Sequence, residues 1–165
     1  PWTGVDLAFA SMMIYEGLTT VGVHLMEGGD ARYKKAGLYF DHQEFGGHYY
    51  RPMSAWAIMN AYAGISINKG KLNFAPVINK KNYKLYFVTP SCTGFFIKHG
   101  QQIEIEIVTG ELHVSEISIG IPEFKARKIC PENNFDITIS QCNKGITVNF
   151  KKEAVLNTKT ILSIK

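Results

Sequence analysis

Cysteine is scarce in this sequence: Cys92, Cys130 and Cys142 are an odd number and contain no C-x-x-C spacing. Neither a zinc site nor a full disulfide framework is indicated, and a reduced, cytoplasmic setting is favoured, although Cys130 and Cys142 could pair across neighbouring strands. No apolar run is long enough to span a membrane, no secretory leader is recognisable, and no Asn-x-Ser/Thr acceptor occurs. Since the chain opens on Pro1-Trp2 without an initiator Met, the expected N-terminus lies upstream. A basic stripe interleaved with aromatics is missing too, which argues against a nucleic-acid partner. Internal repeats and low-complexity stretches are also absent.

What is present is globular. Across 165 residues the apolar fraction is 45% and the net charge +4, values that favour a packed core over disorder. The charge is unevenly spread. Residues 1–70 carry five basic against six acidic side chains, and residues 71–165 carry thirteen against eight. This asymmetry suggests two modules.

The two modules differ in period. Residues 3–17, TGVDLAFASMMIYEG, read as a helix with Thr3 as cap, Asp6 near the positive end of the dipole and Gly17 as stop. A second helix is expected over Thr19–Lys35, outer and half-exposed, and a third from Arg51, with Pro52 at its first position and Gly64 at its end. The first and third are apolar nearly all round. Such rods need burial on every side, so the N-terminal half is expected to belong to a larger helical domain, with self-association through the same faces as the alternative. From Leu72 onward the period is two: YKLYFV, GFFIKH, IEIEIV, LHVSEISIG, DITISQ and ITVNFK alternate apolar and polar residues between turn signals such as Gly100, Gly110 and Asn143-Lys144-Gly145. These segments predict a small antiparallel β-sandwich-like module. Residues 68–76 read as the connection, so domain boundaries are expected at 1–67 and 68–165.

Chemistry-bearing residues concentrate between the second and third helices. The stretch Gly37–Trp56, GLYFDHQEFGGHYYRPMSAW, gathers Asp41, His42, Glu44, His48, Tyr49, Tyr50 and Arg51 around the Gly46-Gly47 pair. Carboxylate, guanidinium and aromatic rings are the set that grips a sugar: the first accepts from hydroxyls, the second donates, and the rings cover the apolar face of a pyranose. A structural Glu44–Arg51 ion pair with surface histidines is the plainer reading of the same residues. Asp41 and Glu44, three residues apart in one loop, are poorly suited to act as a glycosidase pair, whose carboxyls must flank one bond. The spacing of Asp41, His42 and His48 matches no standard metal site, so no metal or other cofactor is expected.

Several of these motifs carry a resemblance. WTGVDLAFASMMIYEGL, from Trp2 to Leu18, resembles the opening helix of the catalytic region of family 116 of the glycoside hydrolases, the non-lysosomal glucosylceramidase and bacterial β-glucosidase group. EFGGHYYRPMSAW, from Glu44 to Trp56, is similar to that region's E-x-G-x-H-Y-x-R-x-M-S-x-W pattern, and FAP at Phe74–Pro76 and CTGFF from Cys92 fit its bacterial relatives. The likeness spans about the first 100 residues. It implies an α+β chain: the last helices of an (α/α)6 barrel, followed by the β module. It also implies a retaining hydrolase of β-glucosides or related sugars whose catalytic Asp and Glu lie upstream, so that this chain alone is inactive. Glu44 and Arg51 match the positions that grip sugar hydroxyls, with His48 in the same motif, and Trp2 and Thr3 help to wall the site. A non-catalytic carbohydrate-binding or structural module is the alternative, with Tyr83, Tyr86, Phe87, Phe95 and Phe96 as an aromatic platform or, more simply, as core.

Overall fold

The computed structural model describes residues 2–39, 52–125, 129–131, 135–158 and 161–164. The chain forms two compact units, Pro1–Tyr62 and Ala63–Lys165.

The first unit holds the three α-helices found among the described residues: α1 (Thr3–Tyr15), α2 (Thr19–Lys35) and α3 (Trp56–Ala63), the last entered through a 3-10 turn at Pro52–Ala55. Gly17 and Gly64 both take positive φ, 81° and 57°, and end α1 and α3 where the sequence places their stops. Capping differs from expectation. Trp2, not Thr3, is the residue before the first turn of α1, and no side chain caps it. Close contact between α1 and α2 depends on Gly22: a Cβ there would sit 2.6 Å from the Ala10 carbonyl oxygen and 2.7 Å from Ile14 Cγ1. The residues buried on α1 are accordingly modest in size, Gly4, Leu7, Ala10 and Ile14 among them, while Val5, Phe9, Met12 and Tyr15 stay exposed. Trp56 and Met59 of α3 are exposed as well. Enclosure of these rods on every side is therefore not achieved.

The second unit holds, among the described residues, nine strands in one continuous sheet: β1 (Ile65–Asn68), β2 (Lys71–Phe74), β3 (Asn82–Val88), β4 (Cys92–His99), β5 (Gln102–Ile119), β6 (Ile129–Pro131), β7 (Ile137–Cys142), β8 (Gly145–Asn157) and β9 (Ile161–Ile164). The organiser is β5, 18 residues long. Its first half pairs with β4 and β9, its second half with β8 and β2. The strand passes from one region of the sheet to the other at Gly110, whose φ of 73° and approach to the Ser91 carbonyl, 2.1 Å from a hypothetical Cβ, admit no other residue without rearrangement. A second irregularity between Val114 and Glu116 adds curvature. The sheet curls around a core whose large, fully buried side chains include Phe74, Phe87, Phe96, Ile105, Ile117 and Phe124.

Several expectations need correction here. The chain is mostly β, with three α-helices against nine strands among the described residues, and α3 is only eight residues long; this is not the end of an (α/α)6 barrel. Nor is the β module a small antiparallel sandwich. It is one curled, mixed sheet, because β2 runs parallel to β5, with Leu72 opposite Ile117 and Phe74 opposite Ile119. The segments IEIEIV and LHVSEISIG are halves of one strand, since a glycine kink interrupts side-chain alternation in the same way as a turn does. Residues 68–76 contain the turn and second strand of a hairpin rather than a connection: Lys69 and Gly70 both have positive φ, 47° and 75°, the geometry that joins tight antiparallel strands such as β1 and β2. The chain divides into its two compact units between Tyr62 and Ala63.

Candidate functional site

Of the five residues singled out for sugar binding, Trp2 and Thr3 lie within the described part of the helical unit. Glu44, His48 and Arg51 lie outside the described residues, as do Asp41, His42, Tyr49 and Tyr50. The geometry that can be built is that of the α1 mouth.

Trp2 leads into α1 and is 60% exposed. Thr3 is buried, and its hydroxyl donates to the Tyr33 hydroxyl on α2 at 2.7 Å. That bond explains why Thr3 does not cap the helix: its oxygen is turned toward the neighbouring helix. One turn on, Asp6 accepts from Arg32 Nη2 at 2.6 Å, fastening the start of α1 to the end of α2. Ser54 donates to the Gly4 carbonyl at 3.2 Å and brings the 3-10 turn against α1. These contacts frame a cavity of about 310 Å³ lined by Thr3, Asp6, Leu25, Glu27, Asp30 and Ala55, among others. The lining combines three carboxylate residues, Asp6, Glu27 and Asp30, with apolar Leu7, Leu25 and Met26, groups able to accept hydrogen bonds from hydroxyls and to cover a hydrophobic ring face. Asp30 is engaged by Lys34 at 2.6 Å, so part of that acidity is already matched.

In the β unit, the five rings considered as a platform separate onto two faces. Phe87 and Phe96 are fully buried, with Phe74 packed against both at centroid distances of 5.2 and 4.7 Å. Tyr86 and Phe95 pair edge-to-face at 5.4 Å on the opposite face, where Lys84 Nζ lies 3.7 Å from the Phe95 centroid. Alternation along β3 and β4 forces this division. Tyr83, half-buried, stacks on Phe96 at 6.2 Å.

Other reactive groups stand apart. The Cys92 thiol is buried in the sheet, which pushes its pKa up despite hydrogen bonding to Thr89 and Ser91, so it is not an activated nucleophile. Cys142 is free and exposed, and the side chain of Cys130 lies outside the described residues. His113 sits on the surface between Glu153 and Glu111, at 3.4 and 3.5 Å, and hydrogen bonding to these two carboxylates raises its pKa. No group of three His, Cys, Asp or Glu among the described residues could hold a metal ion, and no described helix is long and apolar enough to cross a membrane.

The α1 cavity was not visible in the sequence, because Glu27 and Asp30 reach it only through the packing of α2 on α1. No family model matches the chain, and no curated protein matches it.

Proposed function

We propose that the chain is part of a glycoside hydrolase acting on a β-glucoside or related sugar, and that it supplies groups that hold sugar hydroxyls rather than the catalytic carboxylate pair. One observation carries this reading: WTG at the head of α1, the Glu44–Trp56 pattern, FAP and CTGFF occur together and in order. The proposal rests on these residues and not on a helical ring, since chemistry resides in sites that different folds can host.

In this reading the Glu44 carboxylate accepts from hydroxyls, Arg51 donates to them and His48 adds a third polar contact. The exposed Trp2 ring lies along the apolar face of the sugar. Thr3 acts by position, because its hydroxyl already holds Tyr33. The retaining pair, two carboxyls roughly 5 Å apart, is supplied by upstream sequence. The bare apolar side chains of α1 and α3 are in keeping with packing against that further polypeptide.

The test uses the reading frame extended upstream of Pro1. The extended protein should hydrolyse aryl β-glucosides while the 165-residue chain alone does not. Glu44→Gln in the extended protein should lower kcat/KM about 10- to 100-fold, the loss expected for a hydrogen bond to a charged group. Hydrolysis by the 165-residue chain that Glu44→Gln abolishes would overturn the placement of the catalytic pair. An unchanged kcat/KM in the extended variant would remove Glu44 from the site.

A further inference from the structure

A second cleft lies within the β unit and belongs to none of the motifs above. It has a volume of about 630 Å³, inside the range of ligand sites, and is bounded by the segment between β2 and β3, the β4–β5 turn and the residues that follow β5. Its lining includes Lys80, Lys81, Tyr83, Lys98, Ile121 and Glu123.

Three features of the lining favour one kind of ligand. The first is charge: three lysines and a single carboxylate residue, Glu123, line the cleft, and neither Lys80 nor Lys81 has a carboxylate partner among the described residues. Lys98 Nζ is held by the Lys81 carbonyl at 3.2 Å and lies 5.9 Å from the Tyr83 ring centroid, which fixes a positive charge beside the phenol. The second is an excess of donors. The Tyr83 hydroxyl bonds to no described residue, and burial pushes its pKa up to about 12, so it remains a protonated donor through the physiological range. The amides of Val77, Ile78, Asn79 and Lys80, in a segment outside any strand, likewise find no acceptor among the described residues. The third is apolar surface from Pro76, Ile121 and Pro122 beside these donors. A nucleobase would need a free aromatic face, whereas the Tyr83 ring is already stacked on Phe96. A bare anion would leave the apolar wall uncovered.

We propose that this cleft binds a carbohydrate bearing a carboxylate, a uronic acid or a short uronic acid oligosaccharide. Its carboxylate sits among Lys80, Lys81 and Lys98, and one of its hydroxyls accepts from Tyr83. The site stands independently of the hydrolase reading, which concerns the helical unit and the Glu44 motif.

The test is a titration of the full 165-residue chain, followed by amide chemical shifts, with a glucuronic acid disaccharide, the matching uncharged glucose disaccharide and inorganic phosphate. Saturable shifts confined to residues 76–83, 98–101 and 120–123 are expected with the uronate alone. Removing both exposed ammonium groups in Lys80→Ala/Lys81→Ala should weaken binding about five- to tenfold. Tyr83→Phe, which keeps the stacked ring, should weaken it about three- to tenfold. Unchanged shifts remote from the cleft would establish that both variants are folded. Equal binding of the uncharged disaccharide would overturn the role of charge, and equal binding of phosphate would make the cleft a general anion site and overturn the sugar. Absence of saturable shifts, or wild-type affinity in both variants, would overturn the site itself.

Discussion

The two units handle apolar side chains in opposite ways. In the β unit several large rings are packed inside: Phe74, Phe87, Phe96 and Phe124 are all essentially inaccessible to solvent. In the helical unit the interior is made of residues such as Ala10, Gly22 and Ala61, and the large side chains face outward, with Trp56 64% and Phe9 48% exposed. Both segments are rich in apolar residues, so composition does not separate them. What separates them is the number of elements available to cover each face. A sheet curled on itself by a bent β5 supplies its own second layer. Two packed helices and a short third one cover only the narrow stripe along which they touch.

This contrast can be broken or sharpened by substitution. The largest effect is expected at Phe96, which lies between Phe74 and Tyr83 in the β core: Phe96→Ala should destabilise the chain by about 3–5 kcal/mol, read from urea denaturation of the β-sheet circular dichroism signal. A loss below about 1 kcal/mol would mean that the β core is looser than its burial indicates. Next is Gly22, where even one methyl group meets the Ala10 carbonyl and the Ile14 side chain. Gly22→Ala should cost about 1–3 kcal/mol, seen as earlier loss of helical signal on heating, despite alanine's better helix propensity. Stabilisation instead would show that α1 and α2 do not pack as tightly as described. The smallest effect belongs to Trp56: in a monomer Trp56→Ser should change stability by less than about 0.5 kcal/mol. A loss that grows with protein concentration would show that another surface covers this face.

How far the sequence could be read follows from the range of the forces involved. Helix limits were legible where a single residue sets them. Thr19–Lys35 is the observed α2, and Gly17 and Gly64 end their helices because only the left-handed backbone they tolerate allows the chain to turn away. Most strands were legible for a similar reason, as with the inward Ile103, Ile105 and Ile107 alternating with Gln102, Glu104 and Glu106. The β1–β2 hairpin was missed although its Asn-Lys-Gly turn stands in plain view, since four-residue strands offer too few alternations to register as a period. The candidate sites divide in the same way. Trp2 and Thr3 could be named from a contiguous motif, but not the bond that ties Thr3 to Tyr33, thirty residues away. Nothing in the order of residues links Lys80 with Lys98 and Glu123 either, because the cleft they share exists only once β3 and β4 have paired and β5 has ended beside them.

By itself, then, the sequence determined the local matters: where backbone periodicity changes from helix to strand and where glycine stops an element. Those outcomes depend on backbone sterics and side-chain spacing within a few residues. Tertiary structure alone decided that β5 would join two regions of one mixed sheet, that β2 would lie parallel to it, and that the helices would keep their largest side chains outside. These depend on contacts between residues up to tens of positions apart, where the same alternating pattern is compatible with several pairings and only the burial of a shared core selects one.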